Sequence, residues 1–495
     1  MTNTINQELE YEELHQPKIV GPIFKVASKL LVQLNNHNEQ HENIIISPIC
    51  IHRALSLLLL GSNFASRTKK ALQDSLGYAN MDEYEIQQCH KDYARVLERF
   101  ERITQNTVKN REKFEAIKRG EDRNMSDYEL RVDLPRSPVI NLFSMLMTKY
   151  TEGQVVQSHY ERDAARYYHS SIWNMDDQNS EEKHIQCVIV NKRAREAGFE
   201  DGRPLMDYLD SNFHSPDSLL ILSSIRLEAF WPMDFEELDG KGIFYNYGAR
   251  DQPVDGQCLS VKLSTDSNLL EFTSNELAKV KLLHKTMSKR AIFRQLSRLN
   301  FRAILIPLKG GLSFVIFEPI IDPLDEPSKT TLGQLYDLID DLLATSDPNN
   351  SKTNLEHALG LLDSSVNENY QLVSFRMPKF RIEKELNDLK VALKSVGLRR
   401  LFDRDSAELS NMKENKLCLS DIKHKAMIAT TKTGIKPDQD NTTTRAQTSY
   451  SMGLGSPPVE VNIENPFMFV VRYKKIPLLM GQLTNLKATA SPIVN

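Results

Sequence analysis

Cysteine is scarce in this chain and unpaired. Cys50, Cys89, Cys187, Cys258 and Cys418 are scattered over 495 residues with no CxxC spacing, which argues against both a disulfide framework and a cysteine zinc site. A reducing compartment, the cytoplasm, is therefore expected, and no metal. Charge of one sign is missing as well. The 62 basic and 66 acidic residues leave a net of -4, so no global field draws the chain toward nucleic acid or an anionic membrane. Long apolar runs are absent: Leu55 to Leu60 with its flanks is too short to cross a bilayer. The opening stretch, MTNTINQELEYEELHQP, is polar and acidic where a secretory signal has a basic start and an apolar run, so residues 1–21 are read as a polar N-terminal segment. The sequons at Asn124, Asn349 and Asn441 occur at about chance frequency and argue little for secretion. Catalytic signatures are missing too. There is no GxSxG elbow, P-loop, HExxH or dinucleotide fingerprint, so no catalytic residue, no cofactor and no enzyme activity is expected.

What is present is an ordinary globular composition, 40% hydrophobic and 26% charged, enough to bury a core without covalent staples. Apolar residues at Ile23, Val26, Ala27, Leu30, Leu31 and Leu34 fall on one face of a helix. Asn43-Ile-Ile-Ile-Ser47 is a short strand halted by Pro48, and Ile51 to Leu60 resumes helical packing. Residues 87–133 mix both charges densely, with sparse apolar positions at Val96, Leu97, Phe100, Ile103, Phe114 and Ile117. They predict one or two exposed helices in a charged insertion. Ala303–Leu308 and Leu312–Phe317, split by Lys309-Gly310-Gly311, predict a hairpin. Leu332–Leu343 predicts a helix, and Phe467–Val471 with Ile476–Met480 two more strands. Helices mixed with antiparallel hairpins place the chain in the α+β class.

Three blocks then bear a resemblance, in the right order, to the serpin family. The first is Asn43-Ile-Ile-Ile-Ser47-Pro48-Ile-Cys50 with Ala54, Leu55, Gly61 and Leu76-Gly77. The second is Leu220 to Phe235, with Trp231 and Phe235 four apart. The third runs from Arg376-Met-Pro378-Lys379-Phe380 through Gly397-Leu398, Phe402, Ala407-Glu408-Leu409-Ser410, His424-Lys425-Ala426 and Asn465-Pro466-Phe467 to Gly481-Gln482. The resemblance implies one serpin domain over 22–490: a metastable fold of three β-sheets and about nine helices, with an exposed reactive-centre loop over 434–464. In inhibitory serpins a protease cleaves that loop, which then inserts into the main sheet as a new strand and drags the acyl-enzyme along.

The loop of this chain fits that chemistry poorly. Gly434 lies ten residues after His424, as the family's hinge glycine does, and is followed by Ile435, Lys436, Pro437 and Asp438. The family places small uncharged residues there. Pro437 has no amide to donate to a sheet, and carboxylates at Asp438 and Asp440 are costly to bury unless paired. Lys432 stands where inhibitory members usually carry a glutamate. The candidate scissile bond is Leu454-Gly455, with Arg445-Ala446 as the alternative. Family positions of the shutter and breach match Ser47, Cys50, Ser223, Trp231 and His424, with Cys50 in place of a serine and Ser223 in place of an asparagine; His424 is read as a satisfied core residue. The expectation is a non-inhibitory monomer acting by protein binding; the alternative is a serine-type endopeptidase inhibitor working by loop insertion. The partner is a protein, a serine protease among the candidates, with no nucleic acid and no membrane. An extracellular setting, as for most of the family, is the alternative to the cytoplasm.

Overall fold

The computed structural model describes residues 17–119, 136–149, 156–175, 188–189, 192, 217–232, 234–248, 254–262, 281–283, 301–319, 331–345, 352–364, 373–386, 389–414, 416–436 and 459–486. In chain order the elements are α1 (Val20–Asn36), β1 (Ile44–Ile46), α2 (Pro48–Gly61), α3 (Arg67–Leu76), α4 (Glu83–Lys118), β2 (Val139–Lys149), α5 (Ser158–Tyr168), β3 (Ser171–Met175) and β4 (Ser218–Phe230). Then come β5 (Glu236–Phe244), β6 (Val254–Lys262), β7 (Lys281–Leu283), β8 (Phe301–Leu308), β9 (Leu312–Pro319), α6 (Thr331–Leu343), α7 (Asn354–Ser364), β10 (Val373–Pro378), β11 (Arg381–Glu385) and α8 (Leu389–Leu393). The chain ends through β12 (Cys418–Ala429), β13 (Gly434–Ile435), β14 (Val459–Asn462), β15 (Phe467–Tyr473) and β16 (Ile476–Leu483).

Among the described residues these strands form three sheets, and the helices number eight. The core sheet runs β1-β16-β15-β9-β8-β7, a smaller one β14-β10-β6-β5, and the sheet that matters most here β11-β12-β4-β2-β3 with β13 added against β4. Every residue of β1, β9, β15 and β16 is buried. That fits their mainly apolar sequences, since a sheet covered on both faces needs no polar alternation; the buried charges Glu318 and Arg472 are paired with Arg302 and Asp363. Helix α2 is buried almost all round; Pro48, at its first position, loses no hydrogen bond there because that amide has no partner inside a helix.

The described part of the charged stretch folds as one helix, α4, opened by a capping box in which Asp82 accepts from the Glu85 amide at 2.8 Å. Its first half docks by an apolar stripe: Ile86, Cys89, Tyr93, Val96, Leu97 and Phe100 are all buried. Its second half docks by polar contacts. Thr104 and Thr107 donate to the Ile140 and Pro138 carbonyls at 3.1 and 2.7 Å, and Arg111 meets Glu228 at 2.7 Å. Between α2, α4 and α5 lies a buried polar layer. His52 Nδ1 meets the Tyr93 hydroxyl at 2.5 Å, His90 bonds Tyr168, and Arg53 donates to the carbonyls of Tyr168, His169 and Leu142. Three carbonyls around one guanidinium let this cation lie buried. The N-terminal segment 1–16, the sequons and the loop from 437 to 458 fall outside the described residues.

Candidate functional site

The seam between β4 and β12 gathers the residues that the serpin resemblance singled out. From Cys418↔Ser218 to Lys425↔Ser224 the two strands pair directly and in parallel, with one irregularity between Leu419 and Asp421. Beyond Lys425 the pairing changes. The chain turns back at Lys432-Thr433, and the Thr431 and Gly434 backbones exchange hydrogen bonds of 2.7 and 3.3 Å. This starts a hairpin that Thr430↔Ile435 and the Lys436 amide, donating to the Ala429 carbonyl at 2.9 Å, continue. The outer strand of that hairpin, β13, stands between β12 and β4 and pairs antiparallel to β4 through Gly434↔Phe230 and Ile435↔Ala229.

Only glycine fits at 434. A Cβ there would collide with the Ala229 carbonyl oxygen and come within 2.8 Å of the Phe230 Cα. The turn is tied down from above. The Trp231 amide donates to the Thr433 carbonyl at 3.0 Å, the Phe235 amide to Lys432 at 2.7 Å, and the Trp231 indole to Thr431 at 2.9 Å. Trp231 is fully buried against Phe235 and Phe314, with ring centroids 5.1 and 6.1 Å away. Ile435 is buried, and the Lys436 ammonium lies 4.9 Å from the Phe230 ring.

Under the closed half of the seam Ser47, Cys50, Ser223 and His424 come together. The Ser47 amide, at the start of α2, donates to His424 Nε2 at 3.0 Å, so the ring proton sits on Nδ1, which is buried without a hydrogen-bond partner among the described residues; the expected satisfied core histidine is satisfied on one side of its ring. His424 is directly opposite Ser223 in the strand register. The Cys50 thiol donates to the Ser224 carbonyl at 3.3 Å, with the hydroxyls of Ser47 and Ser223 beside it. Burial pushes this thiol up to about 11 and the His424 imidazole down to about 3, so both are neutral near pH 7. A thiol bonding a carbonyl and a neutral ring bonding an amide form a latch rather than a catalytic pair.

The description Serpin (serine protease inhibitor) belongs to the family model that matches residues 23–255 and 264–486. The chain belongs to the serpin family. Human Serpin B3 is 23% identical over 452 residues, 88% of this chain and 91% of that protein. Mouse Serpin B10 is 34% identical, but over 106 residues, 21% of this chain and 25% of that protein, so the match spans about a quarter of it. Human thyroxine-binding globulin superposes with a TM-score of 0.62 at 13% identity, covering 95% of this chain and 99% of its own. That likeness is one of fold. The serpin fold thus serves protease inhibition, as the family's description says, and thyroxine binding, as the globulin's name says.

Of the residues that the serpin resemblance singled out, Ser47, Cys50, Ser223, Trp231, His424, Gly434, Ile435 and Lys436 all lie along this one seam. Pro437, Asp438, Arg445, Ala446, Leu454 and Gly455 lie outside the described residues. Sequence reasoning missed the threonines that hold the turn. Thr430 exchanges hydrogen bonds with the Phe380 backbone at 2.9 Å, and Thr431 and Thr433 supply the carbonyls bound by Trp231. The cluster Thr430-Thr-Lys-Thr433 was the available signal. No group of three or more His, Cys, Asp or Glu among the described residues is arranged to hold a metal. No described helix is long and apolar enough to cross a membrane.

Proposed function

We propose that this serpin acts by binding a protein partner, in the cytoplasm and as a monomer, without catalysis and without trapping proteases. The observation that carries this reading is the hairpin register. Lys436 turns its amide toward β12, so the alternation of a strand turns the next amide toward β4, opposite Leu227 by extension of the Gly434↔Phe230 pairing. The next residue is Pro437, which has no amide. The second step of insertion therefore leaves the Leu227 carbonyl unpaired in a sheet interior, at a cost of about 1–3 kcal/mol. Insertion as a whole can absorb that sum. Its rate cannot, because the same energy slows the step roughly 5- to 150-fold while the acyl bond to the protease is being hydrolysed. A serpin that inserts slowly is cut as a substrate. The lengthened 434–464 segment works in the same direction.

Inhibition by loop insertion is the second reading, and two observations favour it. β13 already occupies the gap between β4 and β12, so the first step is made. Carried forward into an inserted strand, the same register would bring Asp438 opposite Arg226, itself 3.3 Å from Glu228, and Asp440 opposite Lys425 of β12, itself 2.7 Å from Glu383. Both acids thus arrive beside cations, and the proline is the main obstacle.

Incubation with chymotrypsin-like and trypsin-like proteases tests the choice. The proposal expects a nicked chain and no SDS-stable complex. Pro437→Thr should divert part of the cleaved chain into such a complex. A stable covalent complex of the wild-type chain with either protease establishes the inhibitor instead.

A further inference from the structure

At the α3–α8 end of the molecule lies a cleft of about 510 Å³, within the usual size of small-molecule sites. One wall is a face of α3, where Arg67, Lys70 and Asp74 follow one another at helical spacing. The other wall is an interruption in the helix that begins with α8: a π turn over Lys394–Leu398 runs straight into a 3₁₀ turn over Arg399–Phe402. Such turns recur at functional sites. Gly397, at φ +102° with open space where a side chain would be, makes the corner and leaves its backbone exposed to the cleft. The Ser75 hydroxyl donates to the Val396 carbonyl at 3.3 Å and ties the walls together.

Five cations line this space, Arg67, Lys70, Lys394, Arg399 and Arg400, against one carboxylate, Asp74. In a chain of net charge -4 this is a strong local imbalance. None of the five is engaged in an ion pair among the described residues. Lys394 is braced 5.5 Å over the Phe402 ring. The positive field extends past the rim: Lys29 donates to the Asp74 carbonyl at 3.2 Å, and its pKa is lowered by burial and by neighbouring Lys25.

We propose that this cleft binds a compact anion carrying two or more phosphate groups. Three arginines offer the planar, bidentate donors that suit phosphate oxygens. A net of four positive charges calls for more than one anionic group, and the concave walls favour a small ligand over an extended chain. The site is independent of the reactive-loop reading above.

Calorimetric titration of the intact protein with inorganic tripolyphosphate at low salt, about 50 mM, tests it. One saturable site is expected. Arg399→Gln with Arg400→Gln should weaken it about tenfold or more, and Lys70→Gln severalfold. Asp74→Asn should tighten it, a gain that loss of structure would not produce. Lys109→Gln with Lys113→Gln, exposed at the far end of α4, should leave it unchanged. Absence of saturable binding at millimolar tripolyphosphate overturns the proposal, as does an equal loss from the α4 pair, which would mean diffuse attraction without a site.

Discussion

The two halves of the β4–β12 seam are held by different physics. In the closed half, strand pairs from Ser218 to Ser224 bond directly to β12 over a buried latch of Ser47, Cys50 and His424. In the other half a hairpin is wedged between the strands, held by the backbone amides of Trp231 and Phe235 and by the fit of a single glycine. The closed half rests on neutral, buried, titratable groups and is exposed to pH. The wedged half is held by backbone geometry and is exposed to steric change. A strand added after β13 would have to part the pairs of the closed half, so the latch opposes any such extension of the wedge.

The largest effect expected from breaking this contrast is at Gly434. Gly434→Val places carbon inside the radius of the Ala229 carbonyl. Either β4 shifts or the hairpin leaves the sheet, and overpacking of this severity costs about 3 kcal/mol or more. Expulsion is the expected route. Limited proteolysis should then cut near Lys436 far faster than in the wild type, while amides of the closed half keep their hydrogen-exchange protection. A variant with wild-type stability and protease resistance would show that the hairpin does not depend on this close approach.

Acid should act on the other half through His424, and on the polar layer between α2, α4 and α5 through His52 and His90. Burial holds His424 and His52 at about 3 and His90 at about 4, well below their ordinary 6.5. Folded-state values lower than the unfolded ones mean that the unfolded chain takes up protons that the folded chain refuses. The stability is complete above pH 6.5 and is lost as pH falls below it, by about 1.4 kcal/mol per unit for each histidine. Glu318, fully buried with its pKa raised chiefly by desolvation, works in the opposite sense and returns part of the loss. A net drop of about 2–5 kcal/mol between pH 7 and 5 is expected by chemical denaturation. His424→Gln should destabilise at pH 7, and its deficit should shrink as the pH falls, since it has no proton to take up. A deficit constant with pH would remove His424 from the latch.

The elements were largely legible in the sequence, and the latch was legible only through resemblance. Apolar spacing placed α1, α6 and the β8–β9 hairpin to within a few residues, because burial on one side imposes a period. The 36-residue α4 was harder: its charges hide a stripe that is fully buried to Phe100 and half-buried at Ile103, after which threonine hydroxyls and Arg111 take over the docking. No spacing rule joins Ser47 to His424, 377 residues apart, or Trp231 to Thr431, 200 apart; such contacts follow from sheet topology. The Lys432-Thr433 turn carries no glycine, asparagine or proline within it, and its conformation is imposed by the amides of Trp231 and Phe235.

The smallest expected effect sharpens the contrast most cleanly. Cys50→Ser replaces a weak donor with a strong one to the Ser224 carbonyl, a gain of about 1 kcal/mol at best, and gives up the apolar burial of sulfur, a loss of similar size. Stability should change by less than about 1 kcal/mol. The thiol itself is the better reporter. Raised to about 11 and fully buried, it reacts with a thiol reagent only when the seam opens, whereas Cys89, on the buried face of α4 and pushed up to about 12, reports on that helix. If the closed half depends on neutral His424, mild acid should speed labelling of Cys50 relative to the thiolate it has available, and Gly434→Val should not. Labelling of Cys50 that responds to the glycine substitution as strongly as to acid would mean that the two halves open as one unit, and the division drawn between them would fall.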